Sequence, residues 1–128
     1  MDDNNVVIVD DLSTGNIDNL LNPDYENLEI IKKDICEVDW DEVLDGVDYI
    51  FHLAAMASVP LSIDEPVRCN EVNFDATVKL LEGAVKNNVK KIVFSSSATV
   101  YGKNKKMPLR ESIFSFNMKN PDIYINLH

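Results

Sequence analysis

Basic side chains are scarce in this chain of 128 residues: 12 Lys and Arg stand against 22 Asp and Glu, a formal net charge of −10. A nucleic-acid backbone is held by clustered cations that displace its counterions, so this balance excludes that class of partner. Lys103, Lys105 and Lys106 form only a small basic cluster, which reads as a solvated loop. Long apolar runs are also missing, and no stretch approaches the ~20 residues that cross a bilayer. Met1 is followed by Asp2, Asp3, Asn4 and Asn5 in place of the basic start and apolar run of a secretion signal. The expected location is the cytoplasm, away from membranes. The two cysteines, Cys36 and Cys69, lack CxxC spacing and have only His52 and His128 as imidazole company. Neither a disulfide framework nor a zinc site is indicated, and free thiols in a reducing compartment are expected.

What is present is an alternation. Val6 to Val9 form a short apolar run ended by Asp10, Asp11, Leu12, Ser13, Thr14 and Gly15, a buried strand emptying into a loop. A short helix is predicted near Ile17 to Leu21, broken by Pro23 and Asp24, and Leu28 to Lys32 read as a second strand leading to Asp34, Ile35 and Cys36. A helical stretch over Trp40 to Leu44 reaches Gly46. The third strand, Tyr49 to Leu53, leaves through small residues, Ala54, Ala55, Ala57 and Ser58, with Met56 among them. Beyond Pro66 lies the longest predicted helix, where Val67, Phe74, Val78, Leu81 and Val85 recur at spacings that make one apolar face, and Asn87 and Asn88 end it. Lys91 to Ser95 is the fourth strand. Non-alternating strands interleaved with helices predict an α/β fold: a doubly wound, Rossmann-like parallel sheet with right-handed crossovers. Residues 112–128 show no clear period, and their structure stays open.

The densest signal is the run from Val93 to Gly102, which sets Ser95, Ser96 and Ser97 at the carboxyl end of a buried strand. Ligands of open parallel sheets sit at that end. Serines alone are ordinary turn residues. The whole string, Val-Phe-Ser-Ser-Ser-Ala-Thr-Val-Tyr-Gly, closely resembles the strand-end signature of the extended short-chain dehydrogenase/reductase family, above all its nucleotide-sugar 4-epimerases. Val-Asp-Asp-Leu-Ser-Thr-Gly at Val9 to Gly15 and Phe-His-Leu-Ala-Ala at Phe51 to Ala55 are similar to further strings of that family.

The resemblance implies NAD as cofactor. Asp10, Asp11, Leu12, Ser13, Thr14 and Gly15 would surround its adenosine end, an acidic residue there bonding the ribose hydroxyls and disfavouring a 2′-phosphate. Asp34 and Ile35 would lie beside adenine; Leu53, Ala54, Ala55 and Ala57 would line the middle of the cofactor, with Ser95 also in contact. Asn73, also expected at the cofactor, matches the Asn-Val-x-Gly-Thr pattern, written here Asn-Phe-Asp-Ala-Thr with Ala76 in place of Gly. Ser97 is the candidate catalytic and substrate-binding hydroxyl, with Thr99 in the same pocket. His52 reads as a packed strand histidine. Related 4,6-dehydratases carry an Asp-Glu pair where this chain has Ala98 and Thr99, which favours epimerisation.

The implied substrate is a UDP-sugar. Its 4-hydroxyl loses a proton while C4 passes hydride to NAD, and after the 4-keto sugar rotates the hydride returns to the other face. The resemblance runs from Val6 to Glu111, so residues 1–111 are expected to form a partial NAD-binding domain and 112–128 a divergent tail. No glycine-rich loop precedes Asp10, which predicts a sheet lacking its first strand. The family's Tyr-x-x-x-Lys motif is missing; Tyr124 and His128 share its spacing by coincidence. The expectation is a truncated epimerase inactive alone. The alternatives are a non-catalytic binding module of this fold, completed as a homodimer or by a complementing chain, and another nucleotide-sugar oxidoreductase or dehydratase.

Overall fold

The computed structural model describes residues 4–20 and 25–97, and every structural statement below concerns these residues. The β-branched, apolar runs form strands at Val6–Asp10 (β1) and Leu28–Lys32 (β2), which pair in parallel with Val6 opposite Leu28 and Asp10 opposite Lys32. Between them the predicted short helix is a single 3-10 turn, Ile17–Asn19. The Asn16 side chain accepts the Asp18 N–H at 3.0 Å and starts that turn, but nothing of the turn is buried to extend it.

After β2 a second 3-10 turn, Ile35–Glu37, is capped by Asp34, and α1, Trp40–Val43, is capped by Asp39, whose carboxylate takes the Asp41 and Glu42 N–H groups. Strand β3 is Tyr49–His52. Helix α2, Val59–Asp64, has no counterpart in the sequence reading, although Ser58 before Val59-Pro60 is a cap followed by a first-turn proline. Pro66–Asn70 (α3) runs through a π-turn, Glu71–Asp75, into α4, Ala76–Lys86. The Asn87 amide donates back to the Gly83 carbonyl at 2.9 Å, and Asn88 turns left-handed at φ 56° to end the helix. Strand β4, Lys91–Phe94, pairs in parallel with β3, Tyr49 opposite Lys91 and His52 opposite Phe94. This is α/β architecture with parallel pairing throughout.

The described residues divide into two compact units, 4–20, 25–47 and 54–89 in one and 48–53 with 90–97 in the other. In the first, Ile35, Val72 and Ala76 are buried together, with Val9, Cys36, Trp40 and Met56 packed against them. Leu44, Leu80 and Ala84 are also buried. The buried side of α4 is thus Ala76, Leu80, Gly83 and Ala84, whereas Phe74, Val78, Leu81 and Val85 are exposed. This corrects the expected apolar face. Small residues let the helix approach α1 closely, as Gly83 does against Trp40, and a pattern weighted to large side chains misses them. In the second unit His52 is buried, its ring tilted against Phe94 at 5.3 Å between centroids, and burial pushes its pKa below the usual histidine value.

Candidate functional site

Apart from Asn73, which lies on the π-turn Glu71–Asp75, each sequence-derived site residue within the described range stands at or beyond the carboxyl end of a parallel strand. Asp10 is the last residue of β1, and its Oδ1 accepts the Leu12 N–H at 2.7 Å. Asp11 Oδ1 likewise accepts the Ser13 N–H at 2.9 Å, and that bond, with the Ser13 side chain, holds its carboxyl below the ordinary range. Two successive Asx-type turns of this kind bend the chain sharply, with Leu12 at φ 58°. Ser13, Thr14 and Gly15 follow on the exposed side of the bend.

Asp34 lies two residues past β2 and is tied on both oxygens. Oδ1 accepts the Cys36 N–H at 2.8 Å, and Oδ2 pairs with the Arg68 guanidinium. The Cys36 amide first, and Arg68 with it, keep the Asp34 carboxyl low, while burial and the neighbouring carboxylate push the Cys36 thiol up. The other arm of Arg68 donates to Cys36 Sγ at 3.3 Å and lies 3.7 Å from Glu71. Ile35, the proposed neighbour of adenine, is buried in the core beneath this cluster. Nothing in the sequence marks Arg68 except that it is a cation in an acidic surrounding.

Because the Asp34 carboxyl is depressed in the folded state, its contribution is fully present above the unfolded value near 3.8 and is lost as pH falls through the folded value. Asp34→Asn should therefore lower stability by about 1 kcal/mol at neutral pH, a figure discounted for partial exposure, and the difference from the parent should shrink and then vanish as pH falls below 3.8 and through the lower folded value. Chemical unfolding followed at several pH values measures it.

Beyond β3, Leu53, Ala54, Ala55 and Ala57 are exposed, and Met56 between them is half-buried. Asn73, carried by the π-turn, faces this loop: its Oδ1 accepts the Met56 N–H at 2.7 Å and its Nδ2 donates to the Met56 carbonyl at 3.1 Å. Nδ2 also lies 3.4 Å from Cys69 Sγ. Beyond β4, the Ser95 N–H donates to the His52 carbonyl at 3.4 Å, continuing the ladder one residue, and Ser96 turns left-handed at φ 56°. Ser97 follows that turn, exposed. Thr99, and with it the tail at 112–128, lies outside the described residues. No group of three or more His, Cys, Asp or Glu side chains suited to a metal occurs among the described residues, and no helix among them is long and apolar enough to cross a membrane.

An adenosine-binding edge fits what is here: an exposed carboxylate on a tight turn, a second acidic turn after the adjacent strand, and exposed alanines after β3 that admit close approach of a ligand. A phosphate cradle is not among the described residues, since no glycine-rich turn runs into an α-helix there.

The parallel α/β pattern with carboxylates at its strand ends marks a nucleotide-binding fold, and residues 2–122 match the model of the NAD dependent epimerase/dehydratase family; the chain belongs to that family. It is 34% identical to the UDP-glucose 4-epimerase of Mycolicibacterium smegmatis over 99% of this chain and 44% of that protein. The UDP-N-acetylglucosamine 4-epimerase of Methanobrevibacter ruminantium, solved with UDP-N-acetylmuramic acid, superposes with a TM-score of 0.79 at 53% identity, over 85% of this chain and 35% of that one. The dTDP-glucose 4,6-dehydratase of Streptomyces venezuelae, solved with NAD, gives 0.74 at 33% identity, over 80% and 33%. The chain thus spans less than half the length of these relatives.

Proposed function

We propose that residues 1–111 are the greater part of the NAD-binding domain of a nucleotide-sugar 4-epimerase. The observation that carries this reading is the placement of Asp10, Asp34, Ala54 to Ala57 and Ser95 to Ser97 at the carboxyl ends of the four parallel strands, where such a cofactor lies. Asp10 would bond the adenosine ribose and disfavour a 2′-phosphate. Asp34 and Ile35 would border adenine, and the exposed alanines after β3 would lie along the middle of the cofactor. NAD, when bound, supplies the acceptor and donor of the hydride at C4. Ser97 would hold the reacting sugar hydroxyl, with Thr99 beside it. Ala98 and Thr99, where dehydratases carry an acid and a base, support epimerisation, and the 53% identity to an enzyme of UDP-N-acetylglucosamine supports a UDP-N-acetylhexosamine as substrate.

The strand pairing supports a sheet that lacks its first strand. In the doubly wound order 3-2-1-4-5-6, removing strand 1 leaves one parallel pair, 3-2, and another, 4-5. Two separate parallel pairs are what the described residues form. Val6 and Val7 on β1 and Tyr49 and Phe51 on β3 are exposed, although strands of parallel sheets are normally covered on both faces. This favours the second reading, a module completed by another segment that supplies the missing strand. The two are separated by titrating the purified chain with NAD by calorimetry, with native mass spectrometry alongside, and by assaying UDP-N-acetylglucosamine to UDP-N-acetylgalactosamine conversion. The isolated chain is expected to show no turnover. Turnover by it alone overturns the inactivity, and a monomer that binds neither NAD nor a partner overturns the completed module.

A further inference from the structure

Two loops that the proposed function assigns to NAD, Asp34–Cys36 after β2 and the Met56 loop after β3, are both gripped by one helical segment. Arg68 of α3 pairs with Asp34 Oδ2 and reaches Cys36 Sγ. Five residues on, Asn73 closes a two-point pairing with the backbone of Met56, its Oδ1 accepting from the N–H and its Nδ2 donating to the carbonyl. Only a side-chain amide presents an acceptor and a donor side by side in this way. Cys36 and Met56 pack against the same buried residues, Ile35, Val72 and Ala76, so both loops rest on one surface of the helix.

On a regular α-helix, residues five apart are about 140° apart in direction and would not serve one surface. Between Arg68 and Asn73 the helix enters the π-turn Glu71–Asp75, whose wider repeat narrows that difference. The turn is fastened by side chains: Asn70 Nδ2 donates to Asp75 Oδ2 at 3.3 Å, and Thr77 Oγ1 donates to the Asn73 carbonyl at 2.9 Å.

We propose that this π-turn is a clamp, and that Arg68 and Asn73 are positioning residues that fix the spacing between the adenine-side loop and the loop along the middle of the cofactor. Asn73 then acts through Met56, not by touching the dinucleotide. The inference rests on the proposed NAD reading for its purpose, and on the bonds alone for its mechanics.

Residue-resolved hydrogen exchange on the whole chain tests it. In the parent protein the Asn73 side-chain amide protons should exchange at least tenfold more slowly than those of exposed Asn4 and Asn5. In Asn73→Ala the Met56 amide should exchange at least tenfold faster, with the amides of Leu80 and Ala84 unchanged. Arg68→Ala should do the same at Cys36, and Arg68→Lys, which keeps the charge but not the fork, should restore protection only in part. Unchanged exchange at Met56 in Asn73→Ala, or unprotected Asn73 side-chain protons in the parent, overturns the clamp. NAD titration of the same samples separates the two readings: exchange effects without NAD binding overturn the cofactor reading and leave the clamp, whereas NAD binding with unchanged exchange does the reverse.

Discussion

Gly83→Ala should destabilise the protein by about 1–3 kcal/mol, against the sign that helix propensity alone would give. In the middle of a helix, alanine is favoured over glycine by about 1 kcal/mol, and Gly83 lies within α4, three residues before its last residue Lys86. The space decides otherwise. A Cβ at Gly83 would stand 2.7 Å from the Cβ of Trp40 and 3.3 Å from Cδ1 of Leu44. The first contact joins two atoms fixed directly to backbone, so no rotamer change relieves it, and α1 must move away from α4. That movement loosens Leu44 and Leu80, both buried. Urea unfolding should show a lower midpoint with an unchanged slope, and Gly83→Ser should behave similarly because the Cβ, not the chemistry beyond it, is the obstruction.

The same residue explains which parts of the fold were legible in the sequence. Strands announced themselves through unbroken apolar runs: β2 falls on the predicted residues, and β1, β3 and β4 differ only at their last residue. The helix from Pro66 was equally plain in extent, but its buried side was not. Val67, Phe74, Val78, Leu81 and Val85 carry the helical period, yet close packing of α4 on α1 selects Ala76, Gly83 and Ala84, which hydropathy weighs lightly. The short helix expected near Ile17 shrinks to a 3-10 turn because nothing in it is buried, and α2, Val59–Asp64, escaped because its six residues carry only a Ser58 cap and a first-turn proline as signal.

For the site, Asp10, Asp34 and the alanines after β3 could be placed at strand ends from motif strings alone. Their hydrogen bonds could not. Asn73 was visible only as a position in a family pattern, and Arg68 not at all, because each acts across long sequence separations, 17 residues to Met56 and 34 to Asp34. A π-turn has no strong compositional mark either; Asn70 and Asp75, five apart and bonded, form the nearest local signal.

Deleting Phe74 should cost more than deleting its side chain. Phe74 is 62% exposed, so Phe74→Ala removes little buried surface and should change stability by no more than about 0.5 kcal/mol. Removing the whole residue converts the π-turn to regular helix and improves local hydrogen bonding, which taken alone favours the shortened chain. The wide turn accommodates one residue more than an α-helical turn, so the helix before and after the deletion keeps nearly the same phase, and Arg68 on one side and Leu80, Gly83 and Ala84 on the other can keep their partners. The loss is local: Asn73, inside the turn, is swung off Met56 and its two hydrogen bonds break. A net cost of about 1–3 kcal/mol is expected from those bonds, offset in part by the regular helix. Thermal unfolding of the deletion beside Phe74→Ala measures the contrast. Equal midpoints for the two variants would mean that the wide turn sets nothing, and that the segment from Pro66 to Lys86 folds as an ordinary helix.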